Sequence, residues 1–359
     1  MESNHRSQVA QARLSAFIND GQSRAKSVVA RIFDEVPEDR VVRGRAMVFG
    51  NTAGALRMHF HNGGLELGMH SNALQQAAQK FGLPYSWASE IMGKGDWGTD
   101  LVAMNLNELL LHNIEEDARF LVRSVKGEAR GLLSDRFRRI DSRPIVDVLV
   151  EETKRGGLIA ADGLANDTRV SMRFIRPQML EPVPGEYMVF GFSWTNSDFG
   201  RGANELRSFM MRLVCINGAI AAREMRSVHL GGRLDDDMAY SQRTYELDQR
   251  ATISAVRDVT RQLAAPRRVD DLMAQIREAS TKEVEVDKVL ASLTRKRAMT
   301  QETAKSVAEV FNRPDVEMLP PGNTAWRLSN ALSFIARDEA DLDKRLDLEK
   351  MAGELVIVR

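Results

Sequence analysis

Apolar residues in the first part of the chain recur with the spacing of an amphipathic helix. They are Val9, Leu14, Phe17, Ile18, Val28, Val29, Ile32 and Phe33. The pattern predicts a helix over residues 1 to about 36, interrupted near Gly21 and ended by Pro37. The segment VVRGRAMVF that follows alternates in character from residue to residue, which predicts a strand.

Two β-hairpins are expected next, with helices after each. In ALRMHFHNGGLELGM, two apolar runs flank Asn62-Gly63, a dipeptide that tolerates positive φ in tight turns. RFLVRSV and EARGLLS flank Lys126-Gly127 in the same manner. Helices are predicted over residues 71 to about 81 and over about 144–154, the second capped by Ser142.

The pattern in the middle of the chain predicts the central strands of a sheet. TRVSMRFIRP alternates cleanly, with apolar residues on one face and Arg169, Ser171 and Arg173 on the other. YMVFGFSW places Phe190, Phe192 and Trp194 on one face of another strand. A helix is expected from about 203 to 222, including the lone cysteine and an Asn-Gly pair.

Beyond residue 232 the chain is charged, with apolar residues at helical spacing. Three stripes mark amphipathic helices: Ile253, Val256, Val259 and Leu263; Val286, Val289, Leu290 and Leu293; Trp326, Leu332 and Ile335. We therefore predict an α+β protein, a small antiparallel sheet packed with helices and followed by an all-helical C-terminal region. The predicted parts are an N-terminal helical segment (1–39), an α+β core with basic strands (40–232) and a helical C-terminal region (233–359).

Composition limits the class of protein. The chain has 359 residues, 43% of them hydrophobic, which is enough for a large core. No run approaches the roughly 20 apolar residues of a membrane span, and polar residues rather than a secretory signal follow Met1. The single cysteine, Cys215, suits a reducing compartment. These features predict a cytoplasmic protein with no membrane partner.

Basic residues are concentrated locally although the formal net charge is zero. Residues 119–143 contain eight Arg or Lys and three Asp or Glu, an excess of 8 − 3 = +5. Guanidinium groups bind phosphate oxygens in a bidentate manner, so basic strands can hold a nucleic-acid backbone. The predicted nucleic-acid-binding residues are Arg119, Arg123, Lys126, Arg130, Arg136, Phe137, Arg138, Arg139, Arg169 and Arg173. The alternative is that these arginines solubilise the wet face of antiparallel strands and pair with nearby carboxylates.

Other chemistry has weaker support in the sequence. Asp147, Glu152 and Lys154 resemble the carboxylates and lysine of a metal-dependent nuclease, although they fall on a predicted helix. Asp198-Phe199-Gly200 lacks the other kinase motifs, and we interpret it as a turn. We expect no catalytic residue, metal or cofactor. A third hypothesis is a module that binds a host protein through the C-terminal helices.

Several segments resemble one family when they are taken in order. They are HSNALQQAAQKFGLPYSWASEIM, RGLLSDRFRRID, TNSDFGRGA, RLVCINGAI and NTAWRLSNALSFIARDE. Together they resemble the phage/plasmid-like protein family, a domain of unknown function, over roughly residues 70 to 345. The family's arginine, apolar pair, serine and aromatic element maps onto Arg130, Leu132, Leu133, Ser134 and Phe137, and phenylalanine stands where the family usually has tyrosine. Its cysteine and Asn-Gly element maps onto Cys215, Asn217 and Gly218.

The resemblance implies a gene of a phage, plasmid or other mobile element acting in a bacterial cytoplasm. Such elements need proteins that bind, protect or anneal incoming DNA. Basic strands in this context are similar to those of single-strand annealing proteins, an analogy at the level of fold. The expected function is therefore single-stranded DNA binding and annealing without catalytic turnover. The expected assembly is a homo-oligomer formed through the C-terminal helices.

Overall fold

The computed structural model describes residues 2–61, 64–213, 217–227, 241–296, 298–313 and 319–356. Its helices are α1 (Glu2–Asp34), α2 (Ser71–Phe81), α3 (Tyr85–Met92), α4 (Asp96–Asn113), α5 (Ser142–Arg155), α6 (Gln242–Leu263), α7 (Pro266–Thr281), α8 (Val286–Arg295), α9 (Gln301–Asn312), α10 (Ala325–Asp338) and α11 (Leu342–Val356). Its strands are β1 (Glu38–Arg43), β2 (Met47–Thr52), β3 (Ala55–Phe60), β4 (Glu66–Met69), β5 (Arg119–Val125), β6 (Glu128–Ser134), β7 (Ile159–Ala165), β8 (Val170–Val183), β9 (Glu186–Asn196), β10 (Asn204–Arg212) and β11 (Asn217–Ser227). The predicted α+β class is confirmed.

The strands form two sheets. The first has the order β1-β5-β6-β4-β3-β2 and is antiparallel except where β4 pairs with β6. Its edge strands are joined only by a 3-10 turn over Gly44–Ala46. A flat six-stranded sheet would separate its edges by about 24 Å, whereas four residue steps span at most about 14 Å. The sheet therefore curls until its edges approach each other.

Helices α2 and α4 cover one face of this first sheet. Phe81 of α2 makes edge-to-face contacts with Phe49 and Phe120, at centroid distances of 6.0 and 5.8 Å. The predicted helix over 71–81 and the hairpin of β5 and β6 are confirmed. β3 and β4 also pair as predicted, while the Asn62-Gly63 turn between them lies outside the described residues.

The second sheet has five antiparallel strands in the order β11-β10-β9-β8-β7. Strands β10 and β11 replace the helix predicted over about 203–222, so that prediction is wrong. The segment after Asn204 is buried almost continuously, because both faces of the sheet are covered. The spacing of apolar residues does not distinguish such a strand from a buried helix. Asn217 and Gly218 therefore begin a strand, and Cys215 lies outside the part of the chain that is described.

Helix α1 runs unbroken through Gly21, contrary to the predicted interruption. It packs along β7, where Gly21 and Gly163 let the two backbones approach closely. The predicted strand VVRGRAMVF is likewise divided, because the 3-10 turn separates β1 from β2. Both differences arise from tertiary contacts that local sequence patterns do not reveal.

The C-terminal region is helical, as predicted, and buries its apolar stripes within the chain. Val256 and Leu263 of α6 pack in one hydrophobic cluster with Phe192 and Trp194 of the second sheet, and Trp326 of α10 joins them. Leu290 and Leu332 belong to a cluster among α8–α11. No helix of the described ranges is long and apolar enough to cross a membrane. The boundaries proposed at 39/40 and 232/233 stay predictions.

Candidate nucleic-acid interface

Arg123 of β5 is the most buried of the ten predicted residues. Its side chain is 1% exposed, and it donates to Asp39 Oδ1 and Asp141 Oδ1 at 2.7 Å each. It also donates to the backbone oxygen of Asp198 at 2.6 Å, and it lies over the buried ring of Phe137. Burial lowers the pKa of Arg123, but the surrounding carboxylates outweigh it and raise the pKa overall. Arg123 and Phe137 are therefore parts of the interior.

Asp198 links this cluster to the start of α5. It sits in the predicted turn, and its Oδ1 accepts hydrogen bonds from Ser142 N at 2.9 Å and Ser142 Oγ at 2.7 Å. Asp198 thus caps the helix that we expected Ser142 itself to cap. Burial is the main cause that raises the pKa of Asp198 to about 6, and Asp141 adds to it while Arg123 opposes it.

Arg130 of β6 is also enclosed. It forms ion pairs with Glu35 and Glu128 and lies over the ring of Phe199, 5.9 Å from the centroid. Asn72 donates to the backbone oxygens of Arg130 and Phe199, at 2.8 and 3.1 Å. Three of the segments that carry the family resemblance therefore meet around Phe199. Their side chains hydrogen-bond and pack against one another there, and they do not line an open binding site.

The loop before α5 supplies three further predicted residues. Arg138 makes a bidentate pair with Asp248 of α6, with both distances at 2.6 Å. Arg139 donates to Asp39 Oδ2 at 2.7 Å and lies over the ring of Tyr245, 5.6 Å from its centroid. Arg136 is half-buried and also interacts within the chain. This loop is thereby tied to both β1 and α6.

The polar face of β8 is covered rather than solvated. Arg173 is buried and pairs with Glu349 of α11, and Arg169 donates to Asp343 Oδ1 at 2.7 Å. Ser171, on the same face, is buried as well. The expectation of a wet cationic face on this strand is therefore wrong, because Arg169 and Arg173 pair with carboxylates of α11.

Two predicted cations remain at the surface. Lys126 forms an exposed ion pair with Asp34, and Arg119 is exposed at the start of β5. Arg119 lies directly opposite Arg43 of the edge strand β1, which is exposed too. Neither guanidinium has an ion pair or hydrogen bond with the residues that the structure describes. We call Arg43, Arg119, Arg139, Tyr245 and Lys126 the β1 edge.

Arg43 is not one of the ten predicted residues, because its position opposite Arg119 depends on a pairing between strands far apart in the chain. Arg143 ends the basic segment 119–143 and is likewise not one of the ten predicted residues. It is exposed and lies over the ring of Phe33, 4.9 Å from the centroid. The exposed Val36 and Val41 extend the apolar surface of this region. Cations interleaved with aromatic and apolar side chains are suited to a flexible anionic polymer.

The residues of the nuclease hypothesis do not come together. Asp147 and Lys154 are exposed on α5, whereas Glu152 is buried and accepts two hydrogen bonds from Arg261 of α6, both 2.8 Å long. These bonds hold the pKa of Glu152 below its usual range. Among the residues that are described, no group of three or more His, Cys, Asp or Glu side chains is placed to hold a metal ion.

A cleft beside the second sheet has a lining of mixed charge. It measures about 600 Å³ and lies between the start of α2, the β7–β8 loop and the α10–α11 loop. Its carboxylates are Asp167, Glu339, Asp341 and Asp343, and its basic groups are His70, Arg201 and Arg345. Because the carboxylates are at least as numerous, this cleft is a poor channel for a phosphate backbone.

Comparisons with protein-family models, with curated proteins and with solved structures found no match to this chain.

Proposed function

We propose that the protein binds single-stranded DNA by its backbone along the β1 edge. The observation that carries the proposal is the Arg43–Arg119 pair, two exposed guanidinium groups directly opposite each other on antiparallel strands. Like charges in this position repel each other. A phosphate group bound between them would relieve the repulsion and accept hydrogen bonds from both.

The β1 edge is long enough for several phosphate contacts. Seven residue steps separate Arg119 from Lys126 along β5 and its turn, which corresponds to at most about 24 Å. Arg139 on Tyr245 lies beside the same two strands, through its bond to Asp39 of β1. The tyrosine ring supports the proposal as a stacking surface for an unpaired base.

The proposal also includes the family, the cellular compartment and the annealing role that the sequence predicts. The protein is a member of the phage/plasmid-like family that acts in a bacterial cytoplasm, and it promotes annealing without catalysis. Annealing benefits from several binding surfaces along one strand, and a homo-oligomer would supply them.

The C-terminal stripes are buried in the chain, so assembly needs another surface. Trp97, Met104 and Leu111 are exposed on α4 at intervals of seven residues, which places them in one row. Because Met104 lies midway, a second copy related by two-fold symmetry can pair Met104 with itself and Trp97 with Leu111. We propose this row as the contact between copies.

Fluorescence anisotropy with a labelled single-stranded oligonucleotide at several salt concentrations tests the DNA proposal. Three phosphate contacts correspond to a log–log salt slope of about −2. The double variant Arg43→Gln, Arg119→Gln should bind at least tenfold more weakly and with a shallower slope. The matched control is Arg267→Gln, an exposed arginine of α7, which should leave the affinity unchanged. Equal affinity of the double variant and the parent protein would overturn the proposal.

A further inference from the structure

A second cavity lies between the polar face of the five-stranded sheet and helix α11. It has a volume of about 270 Å³. Its charged lining residues are Arg169, Arg207, Arg226 and Lys350 on the basic side and Glu205 and Asp347 on the acidic side. Glu205 accepts hydrogen bonds from Arg207 and Arg226, and Asp343, outside the lining, pairs with Arg169, so four cations face three carboxylates. The cavity therefore carries an excess of positive charge.

Two hydroxyl groups of β9 line this cavity and have no hydrogen-bond partner among the described residues. Ser193 and Thr195 stand two residues apart on β9, so their side chains lie on the same face of the sheet. They are 2% and 6% exposed, and neither hydroxyl makes a hydrogen bond within the described chain. Both hydroxyl oxygens are accessible from the cavity, so each can donate a hydrogen bond to a polar ligand bound there.

The basic side chains of the cavity also have donors to spare. Arg169 Nε is buried and has no hydrogen-bond partner in the described ranges, while its Nη1 donates to Asp343. Arg207 uses Nε and Nη2 on Glu205, which leaves Nη1 unused by the residues described. Lys350 forms no ion pair with any described carboxylate. Donors thus outnumber acceptors, which fits a ligand that consists mainly of acceptor oxygens.

We infer that this cavity binds a phosphate monoester. The phosphoryl oxygens accept hydrogen bonds from Ser193, Thr195, Arg207 and Lys350. Ligand sites in proteins begin at about 300 Å³, so the cavity suits a small molecule such as a sugar phosphate or a mononucleotide. The inference involves none of the residues of the β1 edge and stands independently of the proposed DNA binding.

Isothermal titration calorimetry of the full chain with ribose 5-phosphate, inorganic phosphate and ribose tests the inference. Ribose 5-phosphate should bind more tightly than inorganic phosphate, and ribose should not bind. Lys350→Gln should weaken the binding of ribose 5-phosphate about tenfold, because one charged hydrogen bond is lost. Lys344→Gln, an exposed lysine of the same helix, should leave it unchanged.

Ser193→Ala separates a binding role from a structural one. Since the hydroxyl has no partner among the described residues, its removal should leave the melting temperature of the ligand-free protein unchanged or higher. The increase in melting temperature that ribose 5-phosphate produces should become smaller. The inference is overturned if no phosphate compound binds at millimolar concentration, or if Lys350→Gln and Lys344→Gln bind equally. It is also overturned if inorganic phosphate binds as tightly as the monoester, because the cavity would then be a simple anion site.

Discussion

Gly21 of α1 lies against the backbone oxygen of Ala161 in β7, so closely that a Cβ atom at position 21 would stand 1.7 Å from that oxygen. Backbone on both sides leaves no flexible side chain to move aside. The contact fixes the long N-terminal helix against the edge strand of the second sheet, and Arg24 reinforces it by donating to Asp162 at 2.7 Å.

Gly21→Ala should therefore destabilise the protein, although alanine favours a helix by about 1 kcal/mol over glycine. We expect a net loss of about 3 kcal/mol in the free energy of unfolding, because α1 must move away from β7. Urea denaturation followed by circular dichroism measures the loss. Ser23→Ala, at an exposed position of the same helix, should be nearly neutral. A Gly21→Ala protein as stable as the parent would show that α1 does not pack on β7 in this way.

Local signals in the sequence were sufficient for elements that depend on local chemistry. The β5–β6 hairpin has positive φ at Lys126 and Gly127, as its turn dipeptide indicates, and α2 ends at Gly82 in the left-handed conformation. Gly21 shows the limit of such signals. A glycine in a helical pattern indicates either a break or a close contact, and only the position of β7 decides between them.

The pH dependence of stability offers a second test, through Asp198. Its pKa is about 6 in the folded protein, mainly because of burial, against 3.8 for an ordinary aspartate. Between these values the folded state binds more protons than the unfolded state, so the contribution of Asp198 to stability falls as pH rises from about 4 to about 6. Asp198→Asn keeps an oxygen that can accept from Ser142 but cannot ionise.

The parent should therefore lose stability relative to Asp198→Asn as pH rises over this range. The difference between their free energies of unfolding, variant minus parent, should increase by on the order of 1–3 kcal/mol. Denaturation at pH 4.5 and pH 7.5 measures the difference. Burial raises the pKa values of Glu35 and Asp343, but their arginine partners lower them overall, so these two groups stabilise the protein more as pH rises. Their contribution is the same in variant and parent, and it cancels when the two free energies of unfolding are subtracted. A difference that stays constant with pH would contradict the raised pKa of Asp198.

A third prediction concerns Glu152, which the nuclease hypothesis placed at a metal site. In the structure its buried carboxylate joins α5 to Arg261 of α6. Glu152→Gln should lower the melting temperature. The amide of glutamine has one acceptor oxygen and no charge, so it cannot accept hydrogen bonds from both nitrogens of Arg261 as the carboxylate does. Glu151→Gln removes a neighbouring carboxylate that is more exposed, and it should have a smaller effect. Magnesium or manganese should leave the melting temperatures of the parent and of both variants unchanged. If either metal raised the melting temperature of the parent alone, the metal hypothesis would be restored.

The positions of the arginines could be predicted in part, but their partners could not. The sequence placed Arg123 and Arg130 correctly on strands and showed that the segment is basic. Their carboxylate partners lie far along the chain: Asp39 is 84 residues from Arg123, and Glu35 is 95 residues from Arg130. A local excess of charge therefore does not distinguish a binding surface from arginines that hold distant elements together. Only the sheet pairing reveals which cations, such as Arg119, have no such partner in the part of the chain that the structure describes.

The last prediction uses the Arg43–Arg119 pair to separate stability from binding. Arg119→Glu replaces a repulsive cross-strand pair by an attractive one, so the free energy of unfolding should increase by about 0.5 kcal/mol. The same change places a negative charge where the proposal puts a phosphate, so affinity for single-stranded DNA should fall more than tenfold at low salt. Thermal denaturation and fluorescence anisotropy on one preparation measure both. Because a damaged protein would lose stability and binding together, opposite changes in the two quantities can come only from the charge itself. A stabilised variant that binds DNA as well as the parent would remove Arg119 from the interface, and with it the observation on which the DNA proposal depends.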